Sequence, residues 1–256
     1  MHGFNPWKSP AGFNFCMPSK HPQFVNSEIY HVVNRAIEGR NLFQQISDYF
    51  RFVFCLYELN DEDLVKMRDR IRERKKRKNT GQTRANPRRP LVEILAFCLM
   101  PNHYHLVIRQ LVDNGISLFM QKLGDSYVGY FNEKYNRKGR GSIFQGRHKA
   151  IHIKTTDQLM NVICYIFTNP VELLETTWKE EGVKNPQKAI KHLESYQWSS
   201  YLDCIGKKNF PSVTQRDFLL KVFGGSSNIK KFVESWILYK AELNRGLDRI
   251  RDLVFE

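Results

Sequence analysis

No apolar run in this 256-residue chain approaches the length that a membrane-spanning helix needs. The opening stretch, MHGFNPWKSPAGFNFCMP, lacks the basic-then-apolar layout of a secretory signal, so a cytoplasmic protein without a membrane partner is expected. Paired cysteines are missing too. Cys16, Cys55, Cys98, Cys164 and Cys204 are odd in number, scattered and never in a CxxC pair, which excludes a disulfide scaffold and a cysteine zinc site. Acidic residues are scarce beside basic ones, 26 against 40, giving a net charge of +14. A partner that carries many negative charges follows from that excess.

What is present is a folded composition, 41% hydrophobic and 13% aromatic. The charge is concentrated. Residues 66–89, KMRDRIRERKKRKNTGQTRANPRR, hold 12 Lys and Arg against two acids, a net of +10 that leaves +4 for the rest. Such a run reads as a solvated, partly disordered arm that neutralises phosphates, with Arg74, Lys75, Lys76, Arg77 and Lys78 at its densest point. A second cluster over 133–149 interleaves Lys134, Arg137, Lys138, Arg140, Arg147 and Lys149 with Tyr135 and Phe144, the composition of a groove for single-stranded nucleic acid. Arg35 and Arg40, just after the first strand, complete the basic set expected to contact DNA.

Hydrophobic spacing gives a coarse element order. EIYHVVN (28–34) reads as a strand, and the segment 45–67 as a helix running into the basic stretch. LVEILAFCLM is a strand that a Pro-Asn turn joins to another, HYHLVI. A helix is expected over about 116–135, a fourth strand at HKAIHIKT, and a further helix opened by a Thr155/Gln158 capping box and closed before Pro170. This order, βαββαβ plus one helix, predicts an α+β, ferredoxin-like fold: an antiparallel four-stranded sheet with helices on one face and a C-terminal helical extension. The expected division is an N-terminal extension over 1–24, a core over 25–175 with a basic insertion at about 66–90, and the extension over 176–256. Within the last, SYQWSSYLDCIG and KKFVESWILYKAELNRGLDRI read as helical, with a weak boundary at FGGSSN (223–228).

Two features carry chemistry. In LMPNHYHLVI, His103 and His105 share one face of a strand while Tyr104 points the other way. On the helix after the fourth strand, Asn161, Tyr165 and Asn169 recur at i, i+4 and i+8, opposite Leu159, Ile163 and Ile166. Two imidazole nitrogens and an amide oxygen suit Mg2+ or Mn2+ with open positions. A tyrosine beside such a site is a candidate nucleophile towards a phosphodiester. Each feature alone has a plainer explanation. A histidine pair in a strand more often serves structure, and a polar stripe on a helix is usually its wet side. Their coincidence with the positive charge in one topology favours chemistry, with the imidazoles facing a wet site.

The stretches YHVVNR, LMPNHYHLVI, GSIFQGRHK and YIFTNPVE, in that order, resemble the REP-associated tyrosine transposases of the IS200-like, single-tyrosine group, and YQWSSY resembles their Trp-Ser-Ser stretch. The resemblance runs from roughly residue 25 to 205. It implies an HUH endonuclease acting on single-stranded or hairpin DNA with REP-like palindromes, as a monomer or homodimer. By the same resemblance His103, His105 and Asn169 hold the metal, and Tyr165 attacks DNA to leave a 5′-phosphotyrosine. The basic insertion and the long C-terminal tail depart from the family's compact pattern. Two other classes compete. One is a non-catalytic RRM-like binding module, although its exposed strand would offer His and Val where base-stacking aromatics are needed. The other is a hydrolase of small phosphoesters, for which a +10 arm has no use.

Overall fold

The computed structural model describes residues 22–64, 66–81, 88–139 and 141–254, with side chains of the last helix described as far as residue 243. Most of the expected N-terminal extension, with Cys16, lies outside the described residues, as do Arg140 and residues 82–87 of the basic arm.

Short apolar-rich segments build four strands: β1 (Ile29–Arg35), β2 (Val92–Met100), β3 (His103–Gln110) and β4 (Lys149–Ile153). They pair antiparallel in the order β2-β3-β1-β4, the ferredoxin-like order, with β3 inside the sheet. The helices that link them are α1 (Ile46–Glu58), α2 (Met67–Thr80) and α3 (Gly115–Lys134), and α4 (Thr156–Thr168) follows β4. After a 3-10 turn at Asn169–Leu173 come α5 (Trp178–Glu181), α6 (Pro186–Leu193), α7 (Tyr201–Cys204), α8 (Asp217–Phe223) and α9 (Ser226–Val254).

Strand alternation divides the interior into two cores. Tyr30, Val32, Tyr104, Leu106 and Ile108 face one way and pack with Phe52 and Leu56 of α1 and Phe119, Leu123 and Tyr127 of α3. Val107 faces the other way, towards Ile163, Ile166 and Phe167 of α4 and Ile229, Val233 and Ile237 of α9. The two crossover helices therefore share one face as expected, while α4 and the C-terminal helices cover the second. A bulge in β2 between Ile94 and Ala96 turns both Leu95 and Ala96 to the second core. The open sheet face that an RRM-like module would offer to bases is thus occupied by helices.

Four local expectations are corrected. The helix expected over 45–67 stops at Glu58, because the Asn60 side chain accepts from the amides of Leu91 and Val92 and donates to the Val92 carbonyl, pinning the chain to the start of β2. The basic arm is helical through Thr80 rather than loop, being rich in good helix formers and free of Gly and Pro until Gly81, which ends α2 at φ 66°. Residues 196–200, expected to be helical, form a turn held against β2, where Ser199 bridges Cys98. Leu99 donates to the Trp198 carbonyl, Ser200 to the Phe97 carbonyl, and Tyr196 Oη to the Leu99 carbonyl. This segment covers a strand edge that would otherwise be bare. Nor is there a boundary at 223–228: Gly224 and Gly225, both at positive φ, turn α8 onto α9, where Phe223 meets Phe232 edge-on at 5.4 Å.

Candidate active site

The register of β1 against β3 sets Arg35 opposite His103 and Val33 opposite His105. His31, His103 and His105 consequently project from the same face, the one covered by α4. His103 Nδ1 donates to the Asn102 side-chain oxygen at 2.7 Å, since an amide oxygen only accepts. His105 Nδ1 lies 2.9 Å from His31 Nε2, one proton serving the pair. The His103 and His105 rings stand 4.9 Å apart and nearly perpendicular.

Helix α4 is phased by its cap. Thr155 Oγ1 accepts from the Gln158 amide, and the Gln158 side chain reaches back to the Lys154 amide, one residue before the position a reciprocal box would use. With Leu159, Ile163 and Ile166 turned inward, the Tyr165 ring meets His105 edge-on at 5.5 Å and His31 at 6.3 Å. Pro170 ends the helix, so Asn169 starts the 3-10 turn and is fully buried. Its Oδ1 accepts from Lys179 Nζ at 3.2 Å. The same ammonium is 2.6 Å from Glu172 and 5.3 Å from the centre of the Tyr165 ring. Asn161, at the other end of the stripe, is exposed and apart from this cluster.

The expectation of wet imidazoles is overturned: His103 is 3% exposed and His105 4%, on the face of the sheet that α4 covers. Burial pushes the His31 ring down to about 4. Burial, helped by Arg35, does the same for His103, and burial with neighbouring His31, His103, Lys179 and Arg35 holds His105 well below the usual imidazole range. All three rings are neutral at pH 7, the form in which an imidazole nitrogen ligates a metal.

The donors fit a hard divalent cation. His105 Nε2 is buried without a hydrogen-bond partner among the described residues, which marks a polar spot left open inside the cluster; the unpaired atom of Asn169 is its Nδ2, a hydrogen-bond donor, so Asn169 would serve a cation through Oδ1 alone. Among the described residues no three His, Cys, Asp or Glu side chains converge as a cation site, and a metal held by His103, His105 and Asn169 would have two imidazoles and an amide oxygen as its protein ligands.

The basic residues expected on DNA are distributed unevenly. Arg35 sits beside His103, and its field reaches both His103 and His105. Arg40 is exposed and shares with Arg137, Phe131 and Tyr135 a cleft of about 360 Å³. Arg147, Lys149 and Lys138 are exposed. Lys134 is committed internally, to Asp48 at 2.5 Å and Ser47 at 2.7 Å, and Arg137 braces its own loop through Asn132 and the Gly141 carbonyl. Arg74, Lys75, Lys76 and Lys78 are exposed and Arg77 is half-buried on α2. That helix is anchored by Met67 and by Arg70 facing Glu58 and Asp61, on the α1/α3 side of the sheet and not on the side where Tyr165 meets the histidines.

Sequence reasoning missed two residues of the cluster. His31 was visible only as the outward member of an alternating strand, and nothing local told which strand it would join. Lys179 lies outside every motif, in a segment whose place depends on α9. Among the described residues no helix is long and apolar enough to cross a membrane. No curated protein matches the chain. Among solved structures it is similar to a REP-associated tyrosine transposase bound to a REP hairpin, at 14% identity over 78% of this chain and 93% of that one, with a TM-score of 0.45. It is also similar to tRNA(His) guanylyltransferase from Saccharomyces cerevisiae, at 11% identity over 68% of this chain and 74% of that one, with a TM-score of 0.32. Residues 64–169, which include His103, His105, Tyr165 and Asn169, match the family described as "Transposase IS200 like", and the chain's resemblance to that family, first read from its motifs, holds over this segment.

Proposed function

We propose that this chain is a metal-dependent, HUH-type tyrosine endonuclease and strand transferase that cuts hairpin-associated single-stranded DNA in the cytoplasm. The observation that carries the reading is the meeting of Tyr165 with His105, ring against ring at 5.5 Å, with Asn169 one turn further on beside Lys179. A small-molecule hydrolase would need neither the tyrosine nor the charge on α2.

In this reading His103 Nε2, His105 Nε2 and Asn169 Oδ1 would hold Mg2+ or Mn2+. Bound there, such a cation would neutralise a non-bridging oxygen of the scissile phosphate and polarise its phosphorus. Tyr165 Oη attacks phosphorus as the Oη–P bond forms and the P–O3′ bond breaks. The phenolic proton ends on the departing O3′, leaving a free 3′-hydroxyl and a 5′-phosphotyrosine. Because the tyrosyl ester retains the bond energy, a 3′-hydroxyl can reverse the step, which makes strand transfer and not hydrolysis the natural outcome. Arg35, beside His103, and the exposed cations at 138, 147 and 149 guide the strand, while α2 adds affinity without sequence preference.

The test incubates the protein with Mn2+ and a pool of labelled hairpin oligonucleotides bearing randomised single-stranded flanks, then runs a denaturing gel. A boil-resistant adduct is expected with the natural chain and none with Tyr165→Phe, which keeps the ring and removes only the nucleophilic oxygen. An adduct in the variant, mapped by mass to Tyr30, Tyr104 or Tyr127, would sink the assignment. DNA binding with no adduct under any divalent cation would favour a non-catalytic binding protein.

A further inference from the structure

We infer that Lys179 is a further catalytic residue of this site, its ammonium donating a hydrogen bond to a non-bridging oxygen of the phosphate that Tyr165 attacks. The inference rests on Tyr165 being the nucleophile. It concerns a residue outside the sequence motifs and beyond the segment that matches the transposase family.

Placement of Lys179 is over-determined. The preceding Trp178 is buried in the second core. The Lys179 carbonyl accepts from Lys240 Nζ of α9 at 2.9 Å, and the Lys240 carbonyl in turn accepts from the Val183 amide at 3.1 Å. The short helix α5 is thereby tied to the C-terminal extension, and its lysine side chain is directed into the cluster. There Nζ contacts Asn169 Oδ1 and Glu172 Oε2 and lies 5.3 Å from the Tyr165 ring centre, within the range of a cation–π contact.

An ammonium has three donors, and Asn169 and Glu172 engage two of them. A phosphate brought to Tyr165 Oη carries a negative charge that grows on its non-bridging oxygens as the fifth bond forms. A fixed cation already beside the ring needs no reorganisation to meet that charge. Nothing is transferred from Lys179: the ammonium keeps its three protons throughout, and the phenolic proton goes to O3′ as before.

The competing explanation is a tether, in which Lys179 merely joins α5 to the 3-10 turn through Glu172. Two variants separate these roles, because Glu172→Gln removes the ion pair and keeps the ammonium, whereas Lys179→Met keeps the stem and removes the charge. Single-turnover cleavage would be measured with saturating Mn2+ on the hairpin oligonucleotide that the natural chain captures. Mn2+ affinity would be read separately by calorimetry without DNA, and folding by circular dichroism. Lys179→Met should slow cleavage about 100-fold or more, the usual effect of losing one such donor. Its Mn2+ affinity should be unchanged or tighter, because a cation has left the Asn169 oxygen. Lys179→Arg should recover part of the rate, and Glu172→Gln should stay within about threefold of the natural chain. Equal losses in Lys179→Met and Glu172→Gln, a Lys179→Met rate within threefold of normal, or a parallel loss of Mn2+ affinity would each overturn the inference. An adduct that survives Tyr165→Phe would instead defeat the parent reading, so the two failures are distinguishable.

Discussion

Lowering the pH from 7.5 to 5 should destabilise this protein through its buried histidines before any carboxylate network fails. His31 and His103 are pushed down to about 4 in the folded chain, against about 6.5 in an unfolded one, and His105 moves in the same direction. Below pH 6.5 the unfolded chain therefore takes up protons that the folded chain refuses, so stability falls as the pH drops towards 4 and is level above about pH 7.5. At pH 5 an imidazole with these two values withholds about 2 kcal/mol, and His31 and His103 together about 4 kcal/mol, a large share of a typical domain's stability. The assay is urea denaturation of the metal-free protein at pH 7.5, 6 and 5, followed by far-ultraviolet circular dichroism. The natural chain is compared with His31→Gln, which cannot titrate. Whatever His31→Gln costs at pH 7.5, its further loss on going to pH 5 should be smaller than the natural chain's by about 2 kcal/mol. Equal losses in the two proteins would refute the reasoning, since His31 would then take up protons equally well folded and unfolded.

Replacing Arg74, Lys75, Lys76, Arg77 and Lys78 of α2 together by alanine should weaken DNA binding for all sequences alike and lower the log–log salt slope by up to about 3.5 units for a single strand, leaving Mn2+ affinity unchanged; an unaltered slope in titrations at several salt concentrations would show the helix idle. Asp48→Asn should cost about 2–4 kcal/mol in urea denaturation at pH 7.5, because buried Asp48 accepts from the amides of Gln44 and Gln45, from Tyr130 and Tyr135 and from Lys134; a loss under 0.5 kcal/mol would show that the network contributes little.

The local chemistry of the sequence determined a good deal. Alternation in YHVVNR and HYHLVI made β1 and β3, the Pro-Asn pair made the turn between β2 and β3, and Thr155 with Pro170 bounded α4 at both ends. Because a strand repeats every two residues and a helix every 3.6, those boundaries alone put His103 and His105 on one face and aligned Tyr165 with Asn169. Tertiary structure decided what lies between them. The β1/β3 register brought His31 to His105, a pairing that no spacing of fewer than 70 residues encodes. The turn at residues 196–200 reversed a local expectation, because hydrogen bonds to a strand far away in sequence outweighed helical propensity. Lys179 reached Tyr165 only because α9 docks on the second core and holds α5 against it. That same closure turned a histidine pair expected in water into a buried one, and so decided both its protonation and the acid sensitivity of the fold.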